Sequence, residues 1–244
     1  MNDLLVNEIF GKTIQGEGPS AGIPATFLRL AGCNLACSFC DTPYTFNWKG
    51  TPFAHTEKFD KAQEARWMSF KEVSEALSVV TGRNAILVIT GGEPLLQQVR
   101  LIPFLEAWLK PDYLWIEIET NGTIKPDKEL CKMSMVKFNC SPKLSSSGKD
   151  NTLMKRIVSS ALAELSMQGA IFKFVITDDK DMAEVMQLKN SYGISSRDIY
   201  LMPEGKTQEE LATRQKFVVE KCIEYGFNYS PRLHVSLWGT RRKV

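Results

Sequence analysis

No apolar run in this sequence approaches the roughly 20 residues needed to cross a bilayer. No charged start followed by a long apolar core marks a secretory leader. The expectation is a cytoplasmic protein with no membrane partner. Charge of one sign is not in excess: 30 basic and 28 acidic residues leave a formal net charge of +2. That balance argues against a dedicated nucleic-acid binder, which carries a strongly basic face, so no stable nucleic-acid partner is expected. The one basic run, Arg241-Arg242-Lys243, reads as a solvated end. Repeats, low-complexity tracts and interdomain linkers are absent, and 244 residues that are 43% hydrophobic suffice for one large α/β domain spanning 1–244. Cysteine is also scarce, with six residues in all, yet three of them fall within the eight positions 33–40.

Those three, Cys33, Cys37 and Cys40, are spaced Cys-x3-Cys-x2-Cys. The apolar run Ala25-Thr26-Phe27-Leu28-Arg29-Leu30-Ala31 precedes them and reads as a strand broken by Gly32. The thiols therefore lie on a loop at the carboxyl end of a strand, where α/β enzymes place their chemistry. A structural zinc takes four ligands and a closed shell. Cysteine thiolates also hold four-iron clusters, and three thiolates leave one iron without a protein ligand. A disulfide, a zinc loop or chance is the plainer alternative for such spacing. Cys131, Cys140 and Cys222 lie far apart and read as isolated thiols. Reduced, clustered thiols fit a cytosolic protein.

The remaining pattern alternates strands and helices. Residues 4–10 are strand-like and lead into a glycine-rich loop; the first 22 residues hold four glycines, which let backbone approach another group. Residues 45–67 show no regular period, which suggests a surface insertion that carries a short helix or helps to close a site. Within it His55 reads as a surface residue. Ser69 and Glu72 form a capping-box pair ahead of Val73, Ala76, Leu77 and Val80, which predicts a helix. Strands are expected at 85–90, 113–122, 135–140, 170–176 and 198–203, with helices at 95–110, 179–191 and 207–225. Such alternation implies a parallel sheet with right-handed crossovers. About six strands are too few for a closed eight-stranded barrel, so the fold class is α/β, a partial, open barrel with its carboxyl ends toward the cysteines.

Several phrases together resemble the radical S-adenosylmethionine superfamily, and within it the 7-carboxy-7-deazaguanine synthase family: Glu8-Ile9-Phe10 with Gln15-Gly16-Glu17-Gly18, the cysteine triplet followed by Asp41-Thr42, Gly91-Gly92-Glu93-Pro94, and Ser141-Pro142-Lys143. The resemblance spans nearly the whole chain. It implies a 4Fe-4S cluster on Cys33, Cys37 and Cys40, S-adenosyl-L-methionine on the open iron, and Mg2+ held by Thr42. It implies substrate contacts at Ile14, Gln15, Gly16, Glu17, Arg29 and Thr90. Cofactor contacts are implied at Phe39, Cys40, Asp41, Gly92, Glu119, Ser141, Pro142, Lys143, Met202 and Pro203. Arg29 is a charge inside an apolar strand and needs a partner; a structural salt bridge satisfies it, and so does a substrate carboxylate, which its planar fork matches.

The reaction so implied turns 6-carboxy-5,6,7,8-tetrahydropterin into 7-carboxy-7-deazaguanine. A 5′-deoxyadenosyl radical takes hydrogen from C6, and ring contraction with loss of ammonia follows. The product would feed 7-deazaguanine nucleosides such as queuosine. Implied partners are the pterin, a reductant protein such as a flavodoxin, and a second copy of the chain in a homodimer. Two other readings are an activase for a glycyl-radical enzyme and a noncatalytic zinc or iron–sulfur module. His234, near the end of the chain, reads equally as a core residue or as one that reaches the site.

Overall fold

The computed structural model describes residues 2–53, 55–110 and 112–244. Its strands are β1 (Asp3–Ile14), β2 (Pro24–Leu30), β3 (Arg66–Ser69), β4 (Ile86–Gly91), β5 (Ile116–Thr120), β6 (Val136–Cys140), β7 (Ile171–Ile176), β8 (Ile199–Pro203) and β9 (Asn228–Tyr229). The helices are α1 (Lys61–Glu64), α2 (Phe70–Val80), α3 (Gln98–Ala107), α4 (Lys128–Lys132), α5 (Leu153–Arg156), α6 (Ser159–Met167), α7 (Asp179–Tyr192), α8 (Gln208–Tyr225) and α9 (Leu233–Trp238). Among the described residues the strands form one nine-stranded sheet in the order β3-β1-β2-β4-β5-β6-β7-β8-β9. From β2 to β9 every neighbour is parallel. The antiparallel β1 and β3 finish one edge. The sheet does not close, as expected of a partial barrel.

Strand periodicity assigns the two faces. Leu28, Leu30, Leu87, Ile89, Ile116, Ile118, Phe138, Cys140, Phe172, Phe174, Ile199 and Leu201 belong to the main core. Helical Phe70, Val73, Leu77, Leu101, Phe104, Leu162, Leu165, Val185 and Val218 pack in the same core. The intervening positions face the other way. Low in the sheet they form a small apolar cluster of Phe10, Ala25, Phe27, Ile86 and Val88. Higher up, the same face carries Arg29, Thr90, Glu119, Asn139, Lys173 and Met202, all lining one cavity.

In β1 strict alternation would place Glu8 with Leu4 and Val6 in the core. A register shift intervenes: Val6 pairs with Leu30, but Glu8 pairs with Arg29, leaving Asn7 as the extra residue. The bulge turns Glu8 onto the cavity face beside its cross-strand partner.

Local signals set most boundaries. The Ser69–Glu72 box caps α2, and a Thr207–Glu210 box caps α8; each such cap is worth about 1 kcal/mol. Gly193 and Gly226 stop α7 and α8 in left-handed conformations. The helix expected from residue 95 begins as a 3-10 turn, Pro94–Gln97, before α3. The strand-like opening extends further than expected, because β1 pairs with β2 as far as Ile14.

Segment 45–67 is only partly a surface insertion. It does carry a short helix, α1, but Thr45, Phe46 and Asn47 are buried, and Phe46 lines the cavity. Lys58 ties the segment together by donating to Asn47 Oδ1 at 2.8 Å and Phe53 O at 2.7 Å. His55 is half-buried and packs edge-on against Phe46.

Candidate active site

The cysteine loop is braced from four strand ends. Leu30 O and Gly32 O accept from Gly92 N at 3.2 Å and Glu93 N at 2.8 Å. Asn34 donates to Thr123 at 2.7 Å and accepts from Asn121 at 3.0 Å, both beyond β5. Ser38 N donates to Ser147 O at 2.8 Å, beyond β6. Lys206, beyond β8, donates to Cys40 O at 2.8 Å. A Cβ on Gly92 would lie 2.0 Å from Gly32 O and 2.9 Å from Cys33 Cβ. Glycine at this position therefore seats the cysteine loop itself. Glu93, next to it, is buried and accepts from Leu95 N, Thr120 Oγ1 and Asn121 N at 2.7–3.0 Å, so it pins β4 to β5; burial pushes its carboxyl up to about 7.

Cys33, Cys37 and Cys40 all line the cavity, and none forms a disulfide. Burial pushes the Cys33 thiol up to about 12 and Cys40 to about 11, and raises Cys37 as well. These thiols stay protonated at neutral pH until a metal displaces the protons. Three thiols on one loop, facing one cavity, with amide N–H groups close to two of them, form the donor set that an iron–sulfur cluster takes. Cys131, Cys140 and Cys222 lie outside the cavity lining.

The cavity, about 320 Å³, also brings together Ile14, Gln15, Gly16, Glu17, Arg29, Phe39, Asp41, Thr42, Thr90, Gly92, Glu119, Ser141, Lys143 and Met202. Pro142 and Pro203, expected at the cofactor, are buried outside its lining. Pro203 follows the inward-facing Met202 and so falls on the opposite side of its strand. Pro142 likewise lies between Ser141 and Lys143, whose side chains bond each other at 2.8 Å.

Arg29 makes the structural salt bridge with one edge of its guanidinium. Its Nε donates to Glu8 Oε1 at 2.9 Å, and its two terminal nitrogens make no hydrogen bond among the described residues. Burial works against its charge, but Tyr44, Glu8 and Asp41 more than offset this and raise its pKa. Glu8 is shared: it accepts from Tyr44 Oη at 3.3 Å and from Arg242 at 3.3 Å. Arg242 stacks over the Tyr44 ring at 3.7 Å and also pairs with Glu64 at 2.9 Å. The segment 239–244 thereby forms one wall of the cavity.

Gln15 is 3% exposed. Its oxygen accepts from Gly16 N and Glu17 N, and its nitrogen donates to Glu117 and Glu119 at 3.3 Å. The whole carboxamide is thus engaged in shaping the loop. A Cβ on Gly16 would lie 2.4 Å from His234 Nδ1, so glycine there lets α9 dock. His234 lines the cavity and lies 3.9 Å from Glu17.

A chain of alternating charges crosses the cavity floor. Thr90 donates to Glu119 at 2.8 Å. Lys173 bridges Glu119, at 3.5 Å, and Glu17. Arg232 joins Glu17, at 3.1 Å, to Asp41. Burial alone would raise the Glu17 pKa, yet Lys173, Arg232 and His234 hold it well below the usual carboxylate range. Glu17, Asp41 and His234 are close enough to hold a cation by ligand type, but Lys173 and Arg232 already neutralise the two acids.

Lys173, Asn139, Arg232, Lys206 and Arg242 were not evident as site residues from sequence. For Lys173 and Asn139 a signal exists, since each is a polar residue inside an apolar strand, as Arg29 is. Nothing local marks the arginines of the carboxyl-terminal segment.

The family model described as the Radical SAM superfamily matches residues 28–142. A 7-carboxy-7-deazaguanine synthase from Pyrobaculum aerophilum is 35% identical over 238 residues, covering 97% of this chain and 96% of that protein. Another from Halobacterium salinarum is 32% identical, covering 96% and 90%. In fold, the crystal structure of QueE from Escherichia coli matches with a TM-score of 0.66 at 23% identity, covering 95% of each chain. With identity of this order over nearly the full length of both proteins, the chain belongs to the 7-carboxy-7-deazaguanine synthase family of the radical S-adenosylmethionine superfamily.

Proposed function

We propose that this protein is a lyase that converts 6-carboxy-5,6,7,8-tetrahydropterin to 7-carboxy-7-deazaguanine with loss of ammonia, supplying 7-deazaguanine nucleoside synthesis. The observation that carries the reading is one cavity walled on one side by three free thiols and on the other by the polar inner face of the sheet. Cys33, Cys37 and Cys40 would hold the 4Fe-4S cluster. When bound, the cluster and S-adenosylmethionine supply one-electron, hydrogen-abstracting chemistry.

The chain's own residues bind, orient and exclude water. Lys143 and Ser141, already paired, offer a cation and a hydroxyl to the cofactor's carboxylate and ribose. Phe39 and Met202 supply apolar cover, and Glu119 and the backbone at Gly92 face the same space. Arg29 presents its two terminal nitrogens to the substrate carboxylate, held at Nε by Glu8. Thr42 would help to hold Mg2+ beside that carboxylate; a hard cation with few protein ligands is normal for magnesium. Arg242 and α9 close the cavity. A flavodoxin-like reductant, a homodimeric assembly, a single domain over 1–244 and a cytoplasmic setting complete the reading. Thiols that must stay reduced support the last of these.

Anaerobic assay of the reconstituted protein with the carboxytetrahydropterin, S-adenosylmethionine, magnesium and a reductant tests this. Formation of the deazaguanine acid is expected. S-adenosylmethionine cleavage that needs a partner protein and ignores the pterin would favour an activase, and one zinc without sulfide would favour a binding module. Arg29→Ala is expected to raise the KM for the pterin about a hundredfold, with iron content unchanged, on the scale of a lost charge-assisted pair of about 1.5–3 kcal/mol. Arg29→Lys should recover little, because an ammonium cannot form the fork. An unchanged KM would remove the role given to Arg29.

A further inference from the structure

Cys37 is buried while Cys33 and Cys40 are partly exposed, and the Asn151 side chain lies against its sulfur. Asn151 lies beyond β6, between the turn Ser145–Ser147 and α5, and is 4% exposed. Its Oδ1 accepts from Ala36 N at 2.9 Å. A backbone N–H only donates, so the atom facing Ala36 must be the carbonyl oxygen, and the orientation of the amide is settled. The Nδ2 group is thereby aimed at Cys37 Sγ, 3.3 Å away, and at Ser147 Oγ, 3.2 Å away. One amide thus grips the loop just before Cys37 and touches the sulfur as well. Ser147 O, taking Ser38 N at 2.8 Å, fixes the loop on the other side. The other two sulfurs are less closely engaged. Asn121 Nδ2 is 4.0 Å from Cys33 Sγ, and Thr42 Oγ1 is 3.8 Å from Cys40 Sγ.

An N–H donor strengthens its bond as negative charge on the sulfur grows. A cluster gains negative charge when it takes up an electron, so such a bond favours the reduced form; hydrogen bonds to the sulfurs are among the factors that set cluster potentials.

We propose that Asn151 is a positioning residue that sets the reduction potential of the cluster through its N–H bond to the Cys37 sulfur. This rests on the cluster assignment made under Proposed function. Asn151 lies outside the lining of the cavity, behind the cysteine loop. It raises the fraction of cluster that a given reductant can load with an electron.

The test uses the full-length, anaerobically reconstituted protein and two variants. Asn151→Asp keeps the acceptor used by Ala36 N–H and deletes the donor. Asn151→Ser is neutral and too short to keep both bonds. Iron and sulfide content report loop integrity, and a dithionite titration followed by electron paramagnetic resonance gives the potential. Iron content is expected to stay at the wild-type level while both midpoints move negative. At the wild-type midpoint the ratio of reduced to oxidised cluster in Asn151→Ser is expected to be about tenfold lower, which is about 59 mV for one electron. Unchanged midpoints in both variants would overturn the proposal. Loss of iron from both would also overturn it, assigning Asn151 to holding the loop alone. A wild-type protein without any iron-linked signal would instead sink the functional reading beneath it.

Discussion

Replacing Cys37 with alanine is expected to remove the iron–sulfur chromophore and all turnover while leaving a folded chain. The residue sits on a loop outside both apolar clusters, and that loop keeps the bonds it accepts from Gly92, Glu93 and Lys206 and the one it donates to Ser147 O when one sulfur is lost. The stability cost should therefore be about 1 kcal/mol, the common size for a single substitution. The chemical cost is total, because two remaining thiolates cannot anchor a cluster that needs three. Iron and sulfide analysis, visible absorbance and a thermal melt check the three parts separately. Retained absorbance with wild-type activity would mean that Cys37 is not a ligand.

Lys173→Met is the second large effect. Lys173 is 6% exposed, sits between Phe172 and Phe174 in β7, and answers two carboxylates, Glu17 and Glu119. Removing one partner from a buried ionic network costs about 3–5 kcal/mol. Glu17 keeps Arg232, but among the described residues Glu119 keeps only the Thr90 and Gln15 donors. A loss of stability of that size is expected in denaturant titration, with substrate binding lost at the same time. Lys173→Met combined with Glu119→Gln should recover part of the stability, since the two positions interact directly; strict additivity would contradict the network.

The same groups fix a pH window. Lys173, although burial works against its charge, has its pKa raised by Glu17 and Glu119. Its contribution is thus full below the ordinary lysine value of about 10.4 and is lost as pH rises through the folded value. Glu17 is shifted down, so its contribution is full above the ordinary glutamate value of about 4.3 and is lost as pH falls through the folded value. The wild-type charge network should be level between these limits.

The order of elements and the location of the site were legible because each rests on local chemistry. Ser69–Glu72 and the apolar period after it define α2, and buried runs such as 85–90 define strands. The Cys-x3-Cys-x2-Cys spacing needs no tertiary information. The crossover α5–α6 between β6 and β7 was not legible, because Ser159–Met167 is short and offers only Ala161, Leu162 and Leu165 to the core. The inner face was half legible. Arg29 announces itself as a charge among apolar residues, and Lys173 could have been read the same way. Glu8 could not, since only the bulge at Asn7 turns it inward. Arg232 and Arg242 depend on contacts more than 170 positions away in the chain, to Asp41, Glu8 and Glu64, for which sequence pattern carries no signal.

The proposed chemistry depends on an iron–sulfur cluster bound by Cys33, Cys37 and Cys40 with one iron open to S-adenosylmethionine. The direct measurement is the electron paramagnetic resonance spectrum of the reduced, reconstituted protein before and after S-adenosylmethionine is added. A cluster signal that changes shape on addition is the expected result; no iron-linked signal, or one that the sulfonium leaves untouched, would contradict it.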